Sequence, residues 1–121
     1  MTKTAHLSKE NEIAFIALSN PPMNALSQGV RAGLRKSVEE ALSDNTIKAI
    51  VIHGDGNVFS AGADISEFHL PAIEPHLPDV CDLIEQSEKP VICAIHGFAL
   101  GGAFEIASVS YTHLRAHETH D

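Results

Sequence analysis

Two glycine-rich turns are the places where this sequence could bind a ligand through its backbone. One reads Phe-Ser-Ala-Gly-Ala-Asp-Ile at residues 59–65, and the other covers residues 96–105 and contains Gly101 and Gly102. Small side chains let a backbone approach a ligand closely, and N–H groups at a helix start are available to an anion. The second turn therefore predicts a backbone donor at Gly102, with the carboxylate of Glu105 one helical turn further on.

Each turn also has a purely structural interpretation. Asp64 and Glu67 have the spacing of a capping box, in which both side chains bind N–H groups at a helix start. Glu105 could equally complement the dipole of a first helical turn. The glycine spacing G-x-x-x-G-G differs from the G-x-G-x-x-G of a dinucleotide loop, and no G-x-S-x-G predicts a serine nucleophile. The residues alone leave a ligand site and ordinary helix caps both open.

Strand and helix patterns alternate along the chain and must position these turns. Apolar runs at residues 13–18, 47–52 and 91–95 predict strands. Apolar positions at helical spacing predict a helix from an N-cap at Ser27 to about residue 42, and a second helix over residues 79–88. Near-continuous apolar strands with helices between them are typical of α/β folds in which both faces of the sheet are covered.

Charge and composition narrow the class of partner. The 121 residues carry 16 acidic and eight basic side chains, a formal net charge of −8. That field repels nucleic acid and anionic membrane surfaces, so neither is an expected partner. Two cysteines make no disulfide framework, no apolar run is long enough to span a bilayer, and three histidines near the end lack metal-ligand spacing. We expect an intracellular protein without a metal site.

The order of the motifs resembles the enoyl-CoA hydratase/isomerase (crotonase) superfamily. The resemblance covers most of residues 5–107 and is carried by Asn-Pro-Pro-Met-Asn-Ala-Leu at 20–26, Lys-Ala-Ile-Val-Ile-His-Gly at 48–54, and the stretches 59–65 and 89–107. It implies an α/β fold, the N-terminal part of a crotonase-type ββα spiral that is truncated before the C-terminal half. The stretch 20–26 is most similar to the hydratase part of multifunctional β-oxidation enzymes, which carry a 3-hydroxyacyl-CoA dehydrogenase further along.

The resemblance implies a role for each matching residue. The backbone N–H groups of Ala63 and Gly102 would form an oxyanion hole around the thioester carbonyl, where the reaction develops negative charge. Glu105 would be one of two glutamates that bind and activate the water added across the 2,3-double bond. The CoA moiety would lie along Ala25, Ala61, Gly62, Asp64, Ile65 and Ser66. Because the CoA thioester is itself the substrate, no cofactor is implied.

The sequence departs from the family pattern in three ways. Ala103 stands where many relatives have a third glycine. No Pro-Glu segment follows Glu105 to supply the second glutamate, and the later strands and helices of the family are missing. We therefore divide the chain into residues 1–107, the N-terminal portion of a crotonase-like domain, and residues 108–121, a non-matching tail that we interpret as disordered or artefactual.

Three functions remain open for this sequence. The first is hydration of trans-2-enoyl-CoA to 3-hydroxyacyl-CoA in fatty acid β-oxidation, performed by a parent protein that supplies the second glutamate. The alternatives are a Δ3,Δ2-enoyl-CoA isomerase parent and a non-catalytic acyl-CoA-binding fragment. The parent is expected to be a homotrimer or hexamer, or to be fused to a 3-hydroxyacyl-CoA dehydrogenase. We expect a cytoplasmic location in a bacterium, and a peroxisomal or mitochondrial one in a eukaryote.

Overall fold

A five-stranded sheet with helices in its connections forms the fold. The computed structural model describes residues 4–110 and 112–115. Along the chain, the elements are β1 (Thr4–Glu10), β2 (Ile13–Ser19), α1 (Gln28–Ser43), β3 (Ala49–Gly54), a short 3₁₀ helix (Ile65–Glu67), α2 (Leu77–Glu85), β4 (Val91–Ile95), α3 (Gly102–Val109) and β5 (Thr112–Arg115). The strands follow the order β1-β2-β3-β4-β5; β1 is antiparallel to β2, and the other neighbours are parallel. The predicted α/β class is confirmed.

Helix α1 covers the sheet as its sequence pattern predicts. The Ser27 side chain accepts a hydrogen bond from the Val30 N–H at 3.4 Å and so caps the helix. Val30, Leu34 and Val38 recur on one face and are fully buried in the core. Burying an aliphatic side chain of this size contributes about 1.5–3 kcal/mol. Packing of this stripe on β1 and β2 therefore holds the helix in place.

Only one face of the sheet is covered by helices within the part of the chain that the structure describes. On β3, Ile50 and Ile52 are fully buried, whereas Val51 between them is half-buried. Phe15 on β2 and Ile92 on β4 pair with Val51 across the sheet, and both are half-buried as well. The expectation that both faces are covered is therefore wrong here, because a continuous apolar run does not reveal how many of its faces are packed.

Several element bounds differ from the sequence-based expectation. Strand β1 lies in a polar stretch whose sequence predicted no strand. It forms nevertheless, because the hydrogen bonds of its ladder with β2 are made by the backbone and do not require apolar side chains. Helix α2 begins at Leu77 with Pro78 in its first turn, where a missing N–H costs nothing, and it ends at Glu85. None of the described helices is long and apolar enough to cross a bilayer.

The predicted tail, residues 108–121, is described in part. Its first residues complete α3, and Thr112–Arg115 form β5, which pairs in parallel with β4. Residue 111 and residues 116–121, with two of the three histidines near the end, lie outside the described part of the chain. The division of the chain at residue 107 stays a prediction.

Candidate functional site

The two glycine-rich turns lie side by side beyond the carboxyl ends of β3 and β4. The Phe59 N–H donates to the His96 carbonyl at 2.9 Å, and the Ser60 N–H donates to the Phe98 carbonyl at 3.2 Å. The Leu100 N–H donates in return to the Ser60 carbonyl at 3.2 Å. Parallel strands end at the same edge of a sheet, so two turns distant in sequence are brought into a common ladder.

Gly62 is the point of closest approach between the two turns. Its φ is +97°, in the left-handed region, and a Cβ at this position would lie 2.5 Å from the Leu100 carbonyl oxygen. The same Cβ would lie 3.5 Å from the Gly101 Cα. Glycine is required here by both the backbone conformation and the space available. The stretch 59–65 therefore owes its central glycine to direct contact with the second turn.

The loop that follows β2 forms the third side of the site. The Ala61 N–H donates to the Met23 carbonyl at 2.9 Å, and the Leu26 N–H donates to the Gly62 carbonyl at 2.7 Å. Leu26 and Ala63 form an isolated parallel bridge. Ala25, predicted to contact CoA, is half-buried beside them. Three of the four stretches that carry the sequence resemblance, 20–26, 59–65 and 89–107, thus meet at one place.

The two predicted backbone donors have no acceptor among the described residues. In the part of the chain that the structure describes, neither the Ala63 N–H nor the Gly102 N–H donates a hydrogen bond. Gly102 is the first residue of α3, where the N–H groups have no intrahelical acceptor and the helix dipole is positive. Both N–H groups are therefore available to an oxygen that carries negative charge.

A small cleft lies beside the first donor, Ala63. It has a volume of about 130 Å³ and is lined by Leu26, Arg31, Ala63, His76 and Leu77. Gly102 packs against two of the same residues, because a Cβ on it would lie 2.4 Å from Leu77 Cδ2 and 3.2 Å from Leu26 Cδ1. Ala63 lines this cleft, and Gly102 lies against two of its lining residues, Leu26 and Leu77. The two leucines make one side of the cleft apolar, whereas Arg31 and His76 make the other polar.

The short helix after Ala63 is capped by the side chain of Asp64. The Asp64 Oδ1 accepts hydrogen bonds from the Ser66 N–H at 3.0 Å and the Ser66 hydroxyl at 2.6 Å. Glu67 turns instead to α1 and accepts a hydrogen bond from the Gln28 N–H at 2.9 Å. The Glu67 side chain thus connects this short helix to α1. Ile65, predicted to contact CoA, is 75% exposed.

Arg31 is a structural centre that the sequence pattern did not reveal. Its side chain donates to the carbonyls of Leu26 and Pro75, each at 2.8 Å, and to that of Ile73 at 3.1 Å. It also forms an ion pair with Glu67 at 3.3 Å. Nothing in a helical pattern distinguishes this arginine from solvated ones, since its four partners lie in other segments. The hydrogen bonds of Arg31 thus connect the loop between the 3₁₀ helix and α2 to Leu26 at the site.

Glu105 lies one turn into α3, as the spacing from Gly102 requires. Its side chain is exposed to solvent. Burial raises the pKa of the Cys81 thiol to about 11, and the Glu105 carboxylate is the next cause of that rise. The negative charge of Glu105 therefore disfavours ionisation of Cys81 on helix α2, which packs against α3. The described residues contain no group of three or more side chains suited to hold a metal ion.

Comparison with known proteins identifies similar sequences. The chain matches the family model described as enoyl-CoA hydratase/isomerase over residues 8–118. It is 49% identical over 102 residues to the peroxisomal bifunctional enzyme of Danio rerio, covering 84% of this chain and 14% of that protein. It is 34% identical over 119 residues to a protein of Bacillus subtilis (strain 168) named "Probable enoyl-CoA hydratase", covering 93% of this chain and 46% of that protein.

Solved structures agree with these matches. An enoyl-CoA hydratase from Polaromonas sp. JS666 superposes with a TM-score of 0.85 at 29% identity, covering 93% of this chain and 48% of that one. Pseudomonas aeruginosa DspI superposes with a TM-score of 0.84 at 27% identity, covering 94% of this chain and 46% of that one. The chain therefore spans about half the length of these structures, and a smaller share of the bifunctional enzyme.

Proposed function

Because the chain belongs to the enoyl-CoA hydratase/isomerase family, we propose that it supplies the N-terminal part of an enoyl-CoA hydratase that acts in fatty acid β-oxidation. The reaction adds water to trans-2-enoyl-CoA and yields 3-hydroxyacyl-CoA. Similarity to a peroxisomal bifunctional enzyme and to a bacterial protein named as a hydratase supports this proposal. We use "the intact protein" for this chain together with the additional length that its relatives have.

A single observation carries the proposal: the N–H groups of Ala63 and Gly102 make no hydrogen bond to any described residue, and both residues lie beside Leu26 and Leu77. Attack of water at C3 of the enoyl group pushes electrons onto the thioester oxygen, which becomes an enolate oxygen. Two fixed donors stabilise that oxygen more strongly as its charge grows. Loss of one donor in comparable acyl sites costs about 3–4 kcal/mol of transition-state stabilisation.

Glu105 is the proposed acid–base group of this half of the site. It lies one helical turn beyond Gly102, so a carboxylate and an oxyanion donor share the start of α3. In the proposed step the carboxylate orients the water and exchanges a proton with it as the new C–O bond forms. Addition across a double bond also delivers a proton to C2, so a second acid–base group is needed. We propose that the additional length of the intact protein supplies it.

The CoA moiety is proposed to lie along the first turn. Ala25, Ala61 and Gly62 offer backbone groups there, and Asp64, Ile65 and Ser66 continue along the same surface. Binding through small residues and main-chain groups is consistent with the absence of a lysine cluster from this stretch of sequence. The thioester is the substrate, so the proposed reaction needs no further cofactor.

The assembly and the cellular location of the intact protein are proposed from the names of its relatives. The intact protein is proposed to be either fused to a 3-hydroxyacyl-CoA dehydrogenase, as in the multifunctional relatives, or a separate homotrimer or hexamer. Relatives named as peroxisomal enzymes and a bacterial relative support, respectively, a peroxisomal or a cytoplasmic site of action. A size measurement on the intact protein separates a fused monomer from an assembly.

Hydration of crotonyl-CoA by the intact protein, followed by the loss of enoyl-thioester absorbance, tests the proposal. The informative variant is Gly102→Pro, which removes the N–H while occupying the first helical position, where proline is tolerated. Gly102→Ala is the matched control, because it meets the same Leu77 side chain and keeps the N–H. We expect kcat/KM of the proline variant to fall about 10²- to 10³-fold relative to the alanine variant. Equal activity of the two variants would exclude the donor role.

A further inference from the structure

Ser60 lies where the three segments of the site cross. Its side chain is fully buried. The hydroxyl donates a hydrogen bond to the Asn24 carbonyl at 2.6 Å and accepts one from the Gly62 N–H at 3.0 Å. One hydroxyl thus joins the loop after β2 to the first glycine-rich turn. Both of its partners lie away from solvent, so water cannot replace it without rearrangement.

The backbone of the same residue joins the second turn. The Ser60 N–H donates to the Phe98 carbonyl, and the Ser60 carbonyl accepts from the Leu100 N–H, both at 3.2 Å. Ser60 and Ala99 form a parallel bridge. Gly102 follows Leu100 by two residues, and Ala63 follows Ser60 by three. Ser60 is therefore connected by short paths to both proposed oxyanion donors.

The peptide that carries the Ala63 N–H depends on how Gly62 is held. The Gly62 carbonyl accepts a hydrogen bond from the Leu26 N–H at 2.7 Å, and the Gly62 N–H donates to the Ser60 hydroxyl. Glycine rotates more freely than any other residue, so its conformation at φ +97° depends on these hydrogen bonds as well as on its packing against the second turn. Removing the hydroxyl frees one of the two attachments, so the bond from Leu26 alone then fixes the direction of the next peptide and its N–H.

Asn24 supports the acceptor side of this arrangement. Its side-chain amide donates to the carbonyls of Asp55, Val58 and Phe59 at 2.8–3.2 Å, and the residue is 1% exposed. The Asn24 carbonyl that receives the Ser60 hydroxyl is therefore fixed in place. A positioning group is effective only when its own partner is rigid.

We propose that Ser60 is a positioning residue, whose hydroxyl sets the direction of the Ala63 N–H and holds it in register with the Gly102 N–H. This inference rests on the proposed function. The hydroxyl touches no reacting atom. It acts by keeping the first donor aimed at the place where the enolate oxygen develops. Displacing a donor that remains present is expected to cost less than removing it, about tenfold in kcat.

The test compares Ser60→Ala with Ser87→Ala in the intact protein. Ser87 is a matched control, because its hydroxyl also accepts from the N–H two residues on, that of Lys89, and donates to a carbonyl. It lies in the turn before β4, at the opposite end of the strand from the site. We expect kcat on crotonyl-CoA to fall about tenfold in Ser60→Ala, with KM nearly unchanged, and to stay at the wild-type value in Ser87→Ala.

A spectroscopic readout separates orientation from stability. The stretching frequency of a ¹³C-labelled thioester carbonyl in the bound substrate reports how strongly the two donors polarise it. We expect this band to shift towards the free-ligand value in Ser60→Ala and not in Ser87→Ala. Ser60→Cys, whose thiol fills the space but donates weakly, is the second variant and is expected to lie between wild type and alanine.

Each outcome decides between the two proposals. A wild-type protein without turnover contradicts the proposed function and removes the basis of the inference. An active wild type with normal kcat and an unshifted carbonyl band in Ser60→Ala contradicts the positioning role alone. If neither Ser60 variant folds, the hydroxyl serves folding rather than orientation, and the inference is wrong.

Discussion

Gly62→Ala is the substitution that most directly tests the contact between the two turns. A Cβ at this position would lie 2.5 Å from the Leu100 carbonyl oxygen and 3.1 Å from the Leu100 carbonyl carbon. Both atoms belong to the backbone, so the clash cannot be relieved by rotating a side chain. The two turns must separate, and the paired residues Ser60 and Ala99 must lose part of their ladder.

The expected magnitude is the sum of two effects. Holding alanine at the φ of +97° costs about 1–2 kcal/mol. Forcing a methyl group into packed backbone costs about 1–3 kcal/mol more. The free energy of unfolding should therefore fall by roughly 2–5 kcal/mol. Gly56→Ala isolates the first effect, because Gly56 has a φ of +80° and its added Cβ would meet nothing within 4 Å.

Equilibrium unfolding in urea measures both variants under the same conditions. We expect Gly62→Ala to lose more stability than Gly56→Ala by the packing cost, and to lose crotonyl-CoA hydration in the intact protein while Gly56→Ala keeps it. The separation of the turns also displaces one N–H donor relative to the other. Equal destabilisation by the two substitutions would refute the argument, because the contact between the turns would then contribute nothing measurable.

Other substitutions test the remaining parts of the site. Glu105→Gln in the intact protein should lower kcat by about 10²- to 10⁴-fold with little change in KM, and a near-normal kcat in steady-state assays would remove it from the acid–base role. Arg31→Met should cost about 1.5–3 kcal/mol in urea unfolding, against no loss for the exposed control Arg35→Met; equal stabilities would show that the hydrogen bonds of Arg31 contribute nothing. Burial raises the pKa of Cys93 from 9.0 to about 11. The thiol therefore ionises at a lower pH in the unfolded chain than in the folded chain. Its contribution to the free energy of unfolding is complete below pH 9 and is lost as the pH rises through 11. Cys93→Ala should weaken this dependence, as measured by unfolding midpoints on both sides of pH 9; an unchanged dependence would contradict it.

Local patterns predicted the elements whose signals lie within one segment. The stripe of Val30, Leu34 and Val38 with a serine cap predicted α1, and its bounds agree with the structure to within one residue. The apolar runs predicted β2, β3 and β4 for the same reason. Strand β1 escaped prediction, because an edge strand that exposes most of its side chains has little apolar pattern. The number of covered faces escaped as well, since it depends on what packs against the sheet.

In the candidate site, too, the residues that belong to short motifs could be predicted, and those with partners distant in the sequence could not. The motif resemblance identifies the family and predicts Ala63 and Gly102 as the backbone donors. It could not identify Arg31, because that side chain binds carbonyls up to 44 residues away in the sequence. The role of Glu67 was assigned to a local capping box, whereas its partners lie on α1. A capping-box rule considers only partners a few residues away in the sequence, whereas Glu67 binds Gln28 and Arg31 on α1.

By itself, the sequence determined the α/β class, the main helix, the central strands and the family to which the chain belongs. These properties follow from side-chain periodicity and from short motifs, each contained within a few helical turns or one strand. The tertiary structure decided that the two glycine-rich turns touch at Gly62 and that Ser60 joins them to Asn24. Such contacts form only when parallel strands bring their carboxyl ends together, so no window of neighbouring residues contains them.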